Sequence, residues 1–194
     1  MVQPSKTSAA EILTAAISQL RSHGIQSLTM NVVAEAVGVR TPSLYKHFRD
    51  RAAILEAIEI TVVDAFSVAV KGDPQHDAKE DLLSMANSYR AFAHAHPHEY
   101  AVMFSSDVVW TREIAERRWR ALGPALLRLT ELVGTEASLV AARSMTAFLH
   151  GFVIMENTGA FHLGGNPGVA FETGIRALLE GFAPSISTKR KSVR

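Results

Sequence analysis

The stretch that decides the fold is TMNVVAEAVGVRTPSLYKHFRDR, residues 29–51. Thr29 precedes Val32, Val33, Ala36 and Val37, the apolar spacing of a short helix, and its hydroxyl stands where an N-cap is needed. Gly38 ends that helix, because glycine takes the left-handed backbone conformation at a helix C-terminus without a Cβ clash. Thr41 is then placed to cap a third helix, with Pro42 at its first position, where the missing amide hydrogen has no intrahelical partner to lose. Leu44 and Phe48, four apart, turn inward, and Ser43, Lys46 and Arg49 turn outward with Tyr45 at the margin. Two short helices joined by Gly38-Val39-Arg40 have the shape of a helix-turn-helix.

Outward from this stretch, helical periodicity continues in both directions. Upstream, Ala9, Ile12, Leu13, Ala16, Ile17 and Leu20 predict a first helix that Gly24 stops. Downstream, Asp50 reads as the N-cap of a long fourth helix running toward Val70, broken by Gly72-Asp73-Pro74. Further helices are expected over Asp77 to about Ala95, from the turn at Pro97 to about Phe104, and from near Ser106 to Leu132 with a kink or break at Gly123-Pro124. The last two run from Thr135 to about Asn157 and from Pro167 or Val169 to Phe182, flanking a glycine-rich loop. The fold class is all-α, about nine helices. It divides into a head at 1–51, a linking helix over 51–71, a helical body at 75–183 and a basic flexible tail at 184–194.

The chain has 194 residues, 47% hydrophobic and 20% charged, as a globular protein does. With no cysteine it has no disulfide, thiolate-bound metal or Cys nucleophile. The uncharged apolar run Ser144–Met155 is short for a membrane span and Met1–Thr14 has no apolar signal core, so a cytoplasmic protein with no membrane partner is expected. A net charge of +1 argues against a nucleic-acid partner only if averaged. Residues 1–51 hold six bases and three acids, residues 52–188 ten bases and sixteen acids, and the last six residues four bases. The chain is a basic head, an acidic body and a basic tail.

On the third helix, hydroxyl, ammonium and guanidinium groups face outward from an apolar back, on an element short enough to enter a DNA major groove about 12 Å wide. The run Gly24-Ile25-Gln26-Ser27-Leu28-Thr29, with Val37-Gly38-Val39, Leu44-Tyr45-Lys46-His47-Phe48 and Arg51, resembles the N-terminal DNA-binding domain of TetR-family transcriptional regulators. The resemblance covers about the first 60 residues. It implies that Tyr45 and His47 contact phosphate, that Arg51 does so where the family usually has Lys, and that Thr29 meets the DNA backbone. It makes Arg40, Thr41, Ser43, Lys46 and Asn31 the candidates for reading bases. Leu149-His150-Gly151-Phe152 resembles the Trp-His-Gly type of TetR ligand-binding and dimerisation domain, with Phe148 near the usual Trp.

In the body, Tyr89, Phe92, Met103, Phe104, Trp110, Trp119, Met145, Phe148 and Phe152 supply the apolar surface of a candidate pocket for a small hydrophobic or neutral effector. Ordinary core packing is the alternative for each. A short reading helix gains specificity by pairing, so a homodimer on a palindromic double-stranded operator is expected, with 135–157 and 169–182 as the interface. Ala141, Ala142, Gly151, Gly174 and Ala177 would allow close approach there or within the subunit. The expectation is a ligand-released repressor, not an enzyme, with no cofactor and no metal site. Two other readings remain: a helical small-molecule-binding protein without DNA binding, and a metal-binding protein using His94, His96 and His98.

Overall fold

The structure, a computed structural model, describes residues 7–182. The tail at 184–194 lies outside them. Nine α-helices are described: α1 Ala9–His23, α2 Met30–Ala36, α3 Thr41–Leu44, α4 Arg51–Ala69, α5 Ala78–Ala95, α6 Pro97–Val102, α7 Arg112–Val133, α8 Thr135–Asn157 and α9 Pro167–Phe182, with a single 3-10 turn at Ile25–Ser27. Local chemistry sets most boundaries. Ser8 and Glu11 form a reciprocal capping box at α1, and Gly24 ends it at φ 75°. The Asp50 carboxylate accepts from Ala53 N at 2.8 Å at the start of α4, and the Asp77 carboxylate accepts from Lys79 N and Glu80 N at the start of α5.

Two helices differ from the sequence expectation. The expected start near Ser106 moves to Arg112: Asp107 N donates to Ser105 Oγ in a side-chain turn, and Thr111 caps α7 by accepting from Ile114 N. From there α7 runs unbroken through Gly123-Pro124, so neither a break nor two helices results. The cap of α3 is Arg40, without a side-chain bond, while the Thr41 hydroxyl points elsewhere.

The described residues form two compact units, 7–65 with 96–118, and 66–95 with 119–182. By contacts the segment 96–118 packs with the helix-turn-helix, α6 lying on α1 and on the 3-10 turn. In the first unit Ile12, Ala16 and Leu20 of α1 are fully buried, as are Leu44, Leu55 and Ile58, and Tyr100 and Ile114 complete the core. Fully buried Glu59 of α4 accepts from Arg118 Nε at 2.7 Å, and burial raises its carboxyl above the usual range despite that bond.

In the second unit α5, α8 and α9 pack together. Arg128 of α7 bonds the buried Asp81 carboxylate at 2.7 Å and the Asp73 carbonyl at 2.9 Å, which orders the break after α4. Phe66 meets Tyr89 and Phe92 edge-on, each at 5.3 Å. Gly174 of α9 lies against Phe148, where an added Cβ would come within 2.4 Å of the ring, so its smallness serves packing inside the subunit. At 23 residues α8 is long and apolar enough to cross a membrane by length and composition, yet its Ala141, Ala142, Met145, Leu149 and Val153 are buried in this unit. The uncharged-run criterion understated that helix.

Glu156 joins α8 to α5: it accepts from Arg90 Nε at 2.8 Å and lies 2.9 Å from His94 Nε2. Burial pushes its carboxyl up, but the bonds from Arg90 and His94 outweigh this and hold it below the usual range. Its contribution to stability is therefore complete above the ordinary value of 4.5 and is lost as pH falls through the lower folded value. Glu156→Gln should lower stability at neutral pH by about 1–3 kcal/mol. In melts taken down to about pH 3, the difference from wild type should close; a constant difference would show that the charge is not the source.

Candidate nucleic-acid interface

The face is built on a turn that needs one glycine. Gly38 sits at φ 70°, and Val39 N returns to the Ala34 carbonyl at 3.0 Å, closing α2 and reversing the chain. Thr29 caps α2, its hydroxyl accepting from Val32 N at 3.2 Å and keeping its own proton to donate. Arg40, extended at φ −80°, ψ 143°, then launches α3.

α3 is only four residues long, shorter than the periodicity predicts. Tyr45–His47 follow as a turn in which His47 N and Phe48 N both donate to the Leu44 carbonyl at 2.9 Å. Leu44 is fully buried and anchors the turn from below. Around it Tyr45 is 54% exposed, Arg40, Lys46 and His47 are exposed, and Thr41 and Ser43 are half-buried. The Thr41 hydroxyl donates to Asn31 Oδ1 at 2.8 Å, tying α3 to α2. Asn31 keeps its amide N–H donors for an outside acceptor. Of the groups expected at the DNA, Asn31 and Thr41 are in contact, Tyr45, Lys46 and His47 are consecutive and exposed, and Thr29 opens the same α2.

The Arg51 guanidinium, expected at phosphate, is hydrogen-bonded within the protein. Its Nε donates to the Leu28 carbonyl at 2.7 Å and its Nη2 to the Ile25 carbonyl at 2.8 Å. Nη1 and Nη2 also reach Asp107 Oδ2, at 3.0 and 3.1 Å. Arg21 pairs with buried Glu99 of α6, so two of the six bases of the head meet acids from 96–118. Arg49 pairs with its neighbour Asp50, at 3.1 Å on an exposed surface, where such a pair contributes little. The sequence reading missed Asp107, Glu99 and the Thr41–Asn31 tether. Arg in the family's Lys position was the one local signal of the first.

The nine residues expected at a pocket are divided. Met103, Phe104 and Trp110 belong to the unit with the helix-turn-helix, where Trp110 and Phe104 flank the Arg118 guanidinium at 4.9 and 6.0 Å. Tyr89, Phe92, Trp119, Met145, Phe148 and Phe152 belong to the second unit. There Tyr89 and Phe92 are buried against Phe66, Met145 is buried, and Phe148 and Phe152 stack around Phe171. Trp119 is 59% exposed. A groove of about 280 Å³ in the second unit runs along Asp77, Lys79, Glu80, Leu83, Arg176, Leu179 and Glu180, and contains none of the nine. The histidines separate likewise: His94 turns to Glu156, and His98 lies beside Gly24. Among the described residues no three His, Cys, Asp or Glu side chains gather to hold a metal ion.

Residues 12–58 match the family model for bacterial regulatory proteins of the tetR family, and residues 82–178 match the tetracyclin repressor-like C-terminal domain. An uncharacterised HTH-type transcriptional regulator of Mycobacterium tuberculosis is 33% identical over 165 residues, 82% of this chain and 74% of that one. The class A tetracycline repressor protein from transposon 1721 of Escherichia coli is 30% identical over 79 residues, 41% of this chain and 37% of that one. Two solved structures share the fold: a protein of unknown function from Rhodococcus sp. RHA1, with TM-score 0.77 at 22% identity over 93% of this chain and 99% of that one, and a TetR variant of Acinetobacter baumannii AYE in complex with minocycline, with TM-score 0.71 at 21% identity over 93% and 98%.

Tyr45→Ala combined with Lys46→Ala removes exposed groups only, so its stability should stay within about 0.5 kcal/mol of wild type. Its affinity for duplex DNA should fall about tenfold or more. Fluorescence anisotropy and a thermal melt on the same sample check both; retained affinity would remove this turn from the interface.

Proposed function

Because the chain belongs to the TetR family of transcriptional regulators, we propose that it is a repressor that holds a palindromic operator as a homodimer and releases it when a small hydrophobic or neutral effector binds. The observation that carries DNA binding is the donor-rich turn from Arg40 to His47, exposed above a fully buried Leu44. Tyr45, His47 and the Thr29 hydroxyl meet phosphates, and Arg40, Thr41, Ser43, Lys46 and Asn31 read base edges. One such turn offers few base contacts. Two, related by a two-fold axis, meet successive major grooves and read a palindrome.

The dimer reading draws on α8 and α9. Leu139, Val140, Ile154 and Met155 of α8 and Val169 of α9 are exposed apolar side chains, and Gly151 faces open space. Effector release is supported by family membership and by the names of relatives: one is a tetracycline repressor protein, and one fold neighbour was solved with minocycline. An effector that weakens DNA binding must itself bind the DNA complex more weakly by the same factor. The protein acts in the cytoplasm, where its DNA lies.

Selection from random duplexes tests this reading. The expected product is a family of two-fold symmetric sites with half-sites a whole number of helical turns apart, bound by a species that sediments as a dimer. Recovery of no duplex would overturn the DNA-binding reading, and a monomer on an asymmetric site would overturn the dimer.

A further inference from the structure

Arg51 carries the one charge of the DNA-facing segment that is committed to an acid distant in sequence. Its position does not depend on that acid: the carbonyls of Ile25 and Leu28 already hold Nη2 and Nε, and Leu28 is the residue before the Thr29 cap. A guanidinium can serve two carbonyls and an anion at once, because its five N–H donors lie in one plane. Asp107 occupies the remaining edge with a single oxygen, Oδ2. Both side chains of the pair are about one third exposed, 33% and 34%, so water and ions reach the contact. Asp107 itself sits in the turn between α6 and α7, held by its own amide to Ser105 Oγ at 3.1 Å.

We propose that Asp107 sets the DNA affinity of the α2–α3 head by competing with a DNA phosphate for the Arg51 guanidinium. The proposal rests on the DNA-binding reading above. Within residues 29–51 the only bases are Arg40, Lys46, Arg49 and Arg51, so removing one from play changes the electrostatic part of binding appreciably. Each phosphate a protein neutralises adds about 0.9 to the slope of log affinity against log salt. Asp107 thus subtracts a phosphate contact while the pair is closed and returns it when the 105–111 turn moves away. The competition places the strength of the DNA grip in a turn that lies outside the helix-turn-helix sequence.

The test uses the full-length chain and a fluorescent duplex chosen by the wild type from random sequence. Wild-type binding that falls with salt establishes the DNA-binding reading independently. Asp107→Asn should then bind about three- to fivefold tighter at about 0.1 M salt, with a salt slope steeper by about 0.9 per head. Asp107→Glu, which keeps the charge, should match wild type, and in an Arg51→Gln background Asp107→Asn should change nothing. Three results would overturn the proposal: unchanged or weaker binding by Asp107→Asn, an unchanged slope, or a gain that persists in the Arg51→Gln background, which would mean plain repulsion. If Asp107→Asn does not fold, Asp107→Ser gives the same readings.

Discussion

A helix of four residues cannot stand by itself: forming one helical turn fixes several backbone angles for a single hydrogen bond, and isolated helices need about 12–15 residues to be even marginal. α3 therefore exists because Leu44 is fully buried, and the outward aim of Tyr45, Lys46 and His47 follows from that one anchor. α2 packs directly on α3, and Leu20 of α1, Val33 of α2 and Leu55 of α4 are equally buried in the same unit. Two polar ties complete the support. Thr41 locks α3 to Asn31 of α2, and Arg51 of α4 collects the carbonyls of Ile25, which opens the 3-10 turn, and of Leu28, which follows it. The reading surface is thus a product of tertiary packing, with little owed to helix propensity.

The same contacts reshape the charge argument. By sequence the head is a block of six bases against three acids. In the fold Arg21 meets Glu99 and Arg51 meets Asp107, 78 and 56 residues further along the chain. What faces outward is a small basic surface centred on Arg40 and Lys46, with Arg49 lightly held by Asp50. So modest an excess makes each remaining cation matter more to a phosphate backbone.

What the sequence made legible was local. Thr29, Gly24, Gly38 and Asp50 announced helix ends, because caps and left-handed glycines act within three or four residues. The start of α7 was not legible: Val108 and Val109 continue an apolar rhythm, whereas the chain there follows the Ser105–Asp107 turn. Nor could periodicity show that 96–118 joins the helix-turn-helix, since that membership comes from α6 meeting α1, a contact about 80 residues apart in sequence. Apolar spacing likewise named nine pocket residues without showing that they divide between two units. Gly174 could have served either an interface or the subunit core, and its fit against Phe148 assigns it to the core.

Hydrogen exchange, followed amide by amide with and without a selected duplex, tests the central claim most directly. Binding through the α2–α3 surface should slow exchange across Thr29–Arg51, most strongly at the Tyr45–His47 turn, where a buried anchor supports few backbone bonds. Protection confined to α5, α8 and α9, with Thr29–Arg51 unchanged, would contradict it.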